Sequence, residues 1–187
     1  PSCVSAPRSG TAASQLTEEA FFDRFLTLVD ECGFSYRKTD LVRLHLSVKC
    51  GDLTILGGPA GTGKSSLVLL YARALAGDDY SPDRPDFRMI NVNPSWMELR
   101  DLLGHMNTFE GRYYPAESGL FQHLVYAQEE FIAQGPASAI YTVCLDEMNL
   151  AQVEHYFSDF MQLLDMPAEA RKLSCFAQGI SSQTCPF

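Results

Sequence analysis

Leu53-Thr54-Ile55-Leu56-Gly57-Gly58-Pro59-Ala60-Gly61-Thr62-Gly63-Lys64-Ser65-Ser66 decides how the rest of the chain is read. It contains G-x-x-x-x-G-K-[ST] as Gly58, Gly63, Lys64 and Ser65, with a short apolar run before it and the helical run Ser66 to Ala76 after it. The spacing predicts a strand over Leu53 to Leu56, a loop and then a helix. In that context the loop Gly58, Pro59, Ala60, Gly61, Thr62 and Gly63, with Ser66 beyond it, is a phosphate cradle: its backbone N–H groups (Pro59 has none) surround an anion at a helix N-terminus. Glycines permit the close approach because they carry no Cβ. Lys64 is expected to reach the β- and γ-phosphates of a nucleotide, and the Ser65 hydroxyl to sit on Mg²⁺. The plainer alternative is a glycine-rich turn between strand and helix.

Composition narrows the classes. The chain has 187 residues, 46% of them hydrophobic, which suits one domain with a real core. Lys+Arg is 14 against Asp+Glu 23, a formal net charge of −9. Such an acidic chain gives no direct nucleic-acid signal, since phosphate backbones are held by clustered Lys and Arg. No apolar stretch reaches the length of a membrane span, and no basic-then-apolar leader opens the sequence. The six cysteines have neither C-x-x-C nor zinc spacing, so reduced thiols in a cytoplasmic chain are expected. Cys144 reads as a small buried hydrophobe.

Outward from the loop, residues 1–15 read as a mobile segment, 16–173 as a nucleotide-binding core and 174–187 as an unpatterned tail. Thr17 is an N-cap candidate, with Glu18 and Glu19 in the first turn and Leu16 stapled to Phe21. Phe21, Phe22, Phe25, Leu28, Val29 and Cys32 make one stripe, and Gly33 stops that helix. A second helical segment, Thr39 to Lys49, leads into the first strand. Asp78 and Asp79 are a solvated turn or, less simply, a metal pair. Phe87 to Val92 is a strand, and a helix begins near Trp96. Met106 to Phe121 is a loop or hairpin with exposed aromatics, and Leu120 to Gln134 is helical. Val153, Phe157, Phe160, Met161 and Leu164 form one helical stripe, with His155 and Asp159 off it as a surface pair.

The second chemical constellation closes the third strand. Ala139 to Leu145 is a continuous β-rich run, as in a strand covered on both faces, and it ends in Asp146-Glu147. Both carboxylates then lie at a strand's carboxyl end, the edge at which an open α/β sheet binds ligands. Asp146 suits Mg²⁺, and Glu147 suits polarising an attacking water.

With both motifs placed, the chain resembles the AAA+ ATPases, and within them the McrB-like branch, whose relatives include the MoxR-type ATPases. The resemblance rests on Gly57 to Leu67; on Asn93-Pro94-Ser95-Trp96 with Asp101-Leu102-Leu103-Gly104; on Gly111 to Phe121; and on Leu145-Asp146-Glu147-Met148-Asn149-Leu150-Ala151 with Val153-Glu154-His155-Tyr156-Phe157. It covers about residues 34 to 165. It implies a three-layer α/β/α sandwich with a parallel sheet of the P-loop NTPase type. It also implies a homo-oligomeric ring binding Mg²⁺ and ATP or GTP between neighbours, with the Gly111–Phe121 hairpin turned toward a pore or partner. Client proteins or a nuclease subunit are the partners it suggests. The lysine, hydroxyl, aspartate and glutamate roles carry over onto Lys64, Ser65, Asp146 and Glu147. MoxR-type members usually carry Arg after the Asn of the last motif, where this chain has Leu150. After Glu147 the family's further strand with a polar sensor residue and its helical lid find no counterpart, and Arg171, ahead of the unpatterned tail, is the one candidate for its arginine finger, so the core is expected to be incomplete and slow to turn over. Two functions follow: hydrolysis of a nucleoside triphosphate that drives remodelling or translocation of a partner, or a nucleotide-gated interaction module that binds without turnover.

Overall fold

The computed structural model describes residues 17–51, 53–77, 86–167, 170–174 and 184–186. The expectations for residues 1–15, for Leu16, for Asp78 and Asp79, and for most of 174–187 lie outside the described residues. What is described is a mixed α/β arrangement with a small parallel sheet. No described helix is long and apolar enough to cross a membrane.

Three helices build the first core. In α1 (Glu18–Glu31) Thr17 Oγ1 accepts from Ala20 N at 3.3 Å, and two acids occupy the positive first turn, as a capped helix requires. Phe21, Phe25 and Val29, four apart, are buried and so share one face. They meet α3 (Lys64–Ala76), where Tyr71 lies 5.2 Å from the Phe21 ring and 5.3 Å from Phe25, both edge-on. Between them in sequence, α2 (Lys38–Lys49) buries Leu41, Leu44 and His45. The His45 ring is satisfied inside, with Nδ1 3.0 Å from Tyr71 Oη and Nε2 3.2 Å from Glu18 Oε1. Glu18 also pairs with Lys49 at 2.7 Å, which holds its carboxyl below the usual range, His45 adding to the effect. Burial, with Glu18 second, pushes the Tyr71 phenol up to about 12, so it remains a donor.

The second core gathers around the sheet. The strand β1 (Phe87–Asn91) pairs in parallel with β4 (Thr142–Asp146), Phe87 opposite Thr142 and Asn91 opposite Asp146. A parallel pair needs a long crossover. Here it comprises α4 (Leu99–Leu103), the hairpin of β2 (Gly104–Asn107) and β3 (Arg112–Pro115), and α5 (Leu120–Gln134). After β4 come α6 (Val153–Tyr156), α7 (Ser158–Leu164) and the antiparallel pair β5 (Lys172–Ser174) and β6 (Thr184–Pro186). Ile90, Val92, Leu102, Leu103, Leu120, Ala151, Tyr156, Phe157 and Leu173 form the buried cluster.

Several expectations change. Leu53–Leu56 forms no strand: no described residue pairs with it, although Leu53 and Ile55 are exposed while Thr54 and Leu56 are half-buried, the alternation of a strand. Ile55 is 78% exposed. The helix near Trp96 starts only at Leu99, because Glu98 and Asp101 form a capping box there. No residue of β4 is fully buried, so its apolar run is not covered on both faces; among the described residues it has a neighbour on one edge alone. Cys144 is accordingly half-buried. The expected single helix over 153–164 breaks at Phe157 (φ −117°, ψ 0°), which buries its ring in the core. That break removes the helical spacing between His155 and Asp159, and both are exposed without a bond to one another. Lys172–Ser174, at the edge of the expected tail, is a strand held by Thr184–Pro186.

Candidate phosphate and metal site

The candidate phosphate loop is shaped by its own backbone. Gly61 (φ 78°) and Gly63 (φ 81°) are left-handed, a conformation that costs a side-chain-bearing residue about 1–2 kcal/mol. Thr62 Oγ1 donates to the Pro59 carbonyl at 2.9 Å and closes the turn. Lys64 Nζ folds over the loop and donates to the carbonyls of Gly58 (2.9 Å) and Pro59 (2.8 Å). Residues 57–62, including Ala60, are exposed, and Gly63 to Ser66 are half-buried at the start of α3. The first N–H groups of that helix have no partner within it, and its dipole places partial positive charge there.

Ser65, on the first turn of α3, points across to the sheet. Its Oγ donates to Asp146 Oδ1 at 2.8 Å, joining residues 81 apart in sequence. Asp146 is fixed from behind as well: it is the last residue of β4, and its carbonyl accepts from Val92 N at 3.0 Å. The same Oδ1 accepts from Glu147 N at 3.1 Å. Glu147 then turns the chain in a left-handed conformation (φ 53°, ψ 42°), the one non-glycine residue at positive φ among the described residues. Its side chain is exposed.

A short 3₁₀ turn, Met148–Leu150, follows, with Leu150 N donating to the Glu147 carbonyl at 2.9 Å. Tyr156 holds this turn. Fully buried, it donates from Oη to the Met148 carbonyl at 2.9 Å while its ring meets Trp96 edge-on at 5.5 Å. Burial pushes its phenol up to about 12, which keeps the donor proton in place. Tyr156 and Trp96 thus brace the chain just after Glu147. The sequence carried them as signature residues of a motif and gave no sign that one clamps the other.

Tyr36 also reaches the loop: its Oη donates to the Gly63 carbonyl at 2.8 Å. Periodicity could not have found this contact, because Tyr36 lies between α1 and α2. His155 is exposed, and no group of three or more His, Cys, Asp or Glu residues suited to a metal exists among the described residues. A cation seated between Ser65 and Asp146 would meet one hydroxyl and one carboxylate of the protein. That donor set fits Mg²⁺, a hard ion that is bound through one or two protein oxygens plus waters and substrate phosphates.

A cleft of about 560 Å³ lies along β1, lined by Arg88, Asn91, Trp96, Arg100, His105 and Tyr114 among others. It includes none of Lys64, Ser65, Asp146 and Glu147. Its arginines are engaged: Arg88 Nε donates to the Ser118 carbonyl at 3.0 Å and Arg100 pairs with Glu98 at 3.1 Å. Residues 57–62 of the glycine-rich loop are exposed and take no part in lining that cleft. Donor geometry outweighs concavity here. Comparison with protein families, with curated proteins and with solved structures gives no match.

Proposed function

We propose that this chain binds a Mg²⁺–nucleoside triphosphate, ATP or GTP, and hydrolyses it as an AAA+ subunit of the McrB-like branch. The observation that carries the reading is the 2.8 Å bond between Ser65 and Asp146. Two motifs that the sequence separates by a whole crossover meet at one edge, each placing an oxygen where the other needs it. Ser65 and Asp146 would hold Mg²⁺, which supplies charge neutralisation on the phosphates. Lys64, released from the carbonyls of Gly58 and Pro59, would add its positive charge there. Glu147 would accept a proton from the attacking water as its oxygen bonds to the γ-phosphorus and the bond to the bridging oxygen breaks. Holding the reactants and neutralising charge are the main contributions such a site makes. The α/β/α sandwich, the homo-oligomeric ring, the intracellular setting and a client or nuclease partner belong to the same reading through the family resemblance.

One observation favours the second reading, a nucleotide-gated module without turnover. Arg171, the arginine that follows α7, is committed to structure: its guanidinium donates to the carbonyls of Met166 (2.9 Å) and Leu164 (3.0 Å). Phosphate release from ATP and from GTP, followed over rising protein concentration, separates the two. Turnover that rises with concentration supports the enzyme. Saturable binding with no release at any concentration supports the gated module.

A further inference from the structure

The segment between α1 and α2 reaches the phosphate loop through one residue. Tyr36 Oη donates to the Gly63 carbonyl at 2.8 Å, and the same carbonyl accepts from Leu67 N, also at 2.8 Å, to begin α3. Tyr36 is itself held. Its ring stacks on Phe34 at 5.7 Å and 17°, and Phe34 N donates to the Val29 carbonyl at the end of α1 at 3.1 Å. Both rings pack against the core shared by the three helices. At Gly63 a Cβ would collide with Tyr36 Oη, so the close approach of this hydroxyl to the loop backbone requires the glycine. Burial raises the Tyr36 phenol above its ordinary value, and the hydroxyl keeps its proton.

The consequence follows from the peptide plane. The unit joining Gly63 to Lys64 is planar and trans, so its C=O and N–H point in opposite directions. A carbonyl fixed by two donors fixes the direction of the Lys64 N–H. That N–H is one of the first four of α3, without an acceptor inside the helix, and lies where an anion binds. We propose that Tyr36 is a positioning residue for the triphosphate, its hydroxyl holding the Gly63–Lys64 peptide so that the Lys64 N–H faces the phosphates. The inference rests on the phosphate-site reading above. Because Tyr36 acts on the phosphate cradle, its effect is independent of the base.

Tyr36→Phe tests it, since the ring and its stack on Phe34 remain. Wild-type and variant chains are titrated calorimetrically with Mg²⁺–ATP, Mg²⁺–GTP and Mg²⁺–tripolyphosphate, at a temperature where circular dichroism shows both folded. The expected result is a loss of roughly three- to tenfold in affinity, the worth of one neutral hydrogen bond, and an equal loss for every ligand the wild type binds, tripolyphosphate included. Unchanged tripolyphosphate affinity overturns the inference, whether the nucleotides weaken (a base-side role) or not (no role). A wild-type chain that binds none of the three refutes the phosphate-site reading itself, and the inference with it.

Discussion

Glu147 sits in a conformation that its side chain opposes, and this gives a prediction with an inverted sign. A residue with a Cβ at φ 53°, ψ 42° carries a cost of about 1–2 kcal/mol relative to ordinary backbone. Glycine escapes that cost but loses about 0.5–1 kcal/mol more backbone entropy on folding. At the middle of these ranges the difference leaves Glu147→Gly more stable than Glu147→Ala by about 0.75 kcal/mol. In a helix or strand interior the order is the reverse. The side chain of Glu147 is exposed, so neither substitution opens a cavity. The two bonds made by the backbone of residue 147, its N–H to the Asp146 carboxylate Oδ1 and its carbonyl from Leu150 N, survive in both variants and cancel. For a chain of this size the difference corresponds to about 1–4 °C in melting midpoint. Urea unfolding and thermal melts of the two variants, side by side, measure it. An alanine variant as stable as the glycine variant, or more stable, would refute the claim that strain is held at Glu147. Strain of this kind persists where surrounding structure over-determines the backbone, as Asp146 and the Tyr156-braced turn do here.

Three further outcomes are expected. Lys64→Ala removes a charged donor to the phosphates and should weaken nucleotide binding by about 1.5–3 kcal/mol, roughly 10- to 150-fold, measured by calorimetry with ATP and GTP; unchanged affinity for both removes Lys64 from the site. Glu147→Gln keeps the shape of the side chain but cannot take a proton, so Mg²⁺–nucleotide binding should persist while phosphate release is lost; the opposite pattern makes Glu147 a binding residue. Burial first, then Asp146, pushes the Cys144 thiol up to about 11, so only about one molecule in a thousand is thiolate at pH 8. Iodoacetamide at that pH should label exposed Cys32 and Cys50 and spare Cys144, with Cys144 labelling appearing as the pH rises toward 11; peptide mass spectrometry reads the sites, and equal labelling at pH 8 contradicts the burial.

The parts of the molecule governed by local chemistry were legible. Leu120–Gln134 is helical over the stretch its pattern marks, because Gly119 and Gly135 bracket it at positive φ (73° and 59°). Thr17 caps α1 as its position suggests. Asp146 and Ser65 were each marked by a motif, and the structure brings them into contact. What failed depends on partners that are not local. Leu53–Leu56 has the alternation of a strand, yet pairing needs a second strand, and none among the described residues supplies it. The break at Phe157 comes from tertiary demand: Tyr156 and Phe157 are both buried, consecutive residues that a continuous one-faced helix would separate by about 100°. Tyr36 and Tyr156 act through single hydroxyl bonds to carbonyls 27 and 8 residues away, and no periodicity encodes such a contact.

The account stands or falls on whether Ser65 and Asp146 form a Mg²⁺-dependent triphosphate site. Calorimetric titration of the 187-residue chain with ATP and GTP, with Mg²⁺ and then with excess EDTA, repeated on Asp146→Asn, is the direct measurement. The account predicts wild-type binding that weakens sharply when Mg²⁺ is removed, and an Asp146→Asn chain in which most of that Mg²⁺ dependence is gone. Affinity that is the same with and without Mg²⁺, or a Mg²⁺ dependence that survives Asp146→Asn intact, would contradict it.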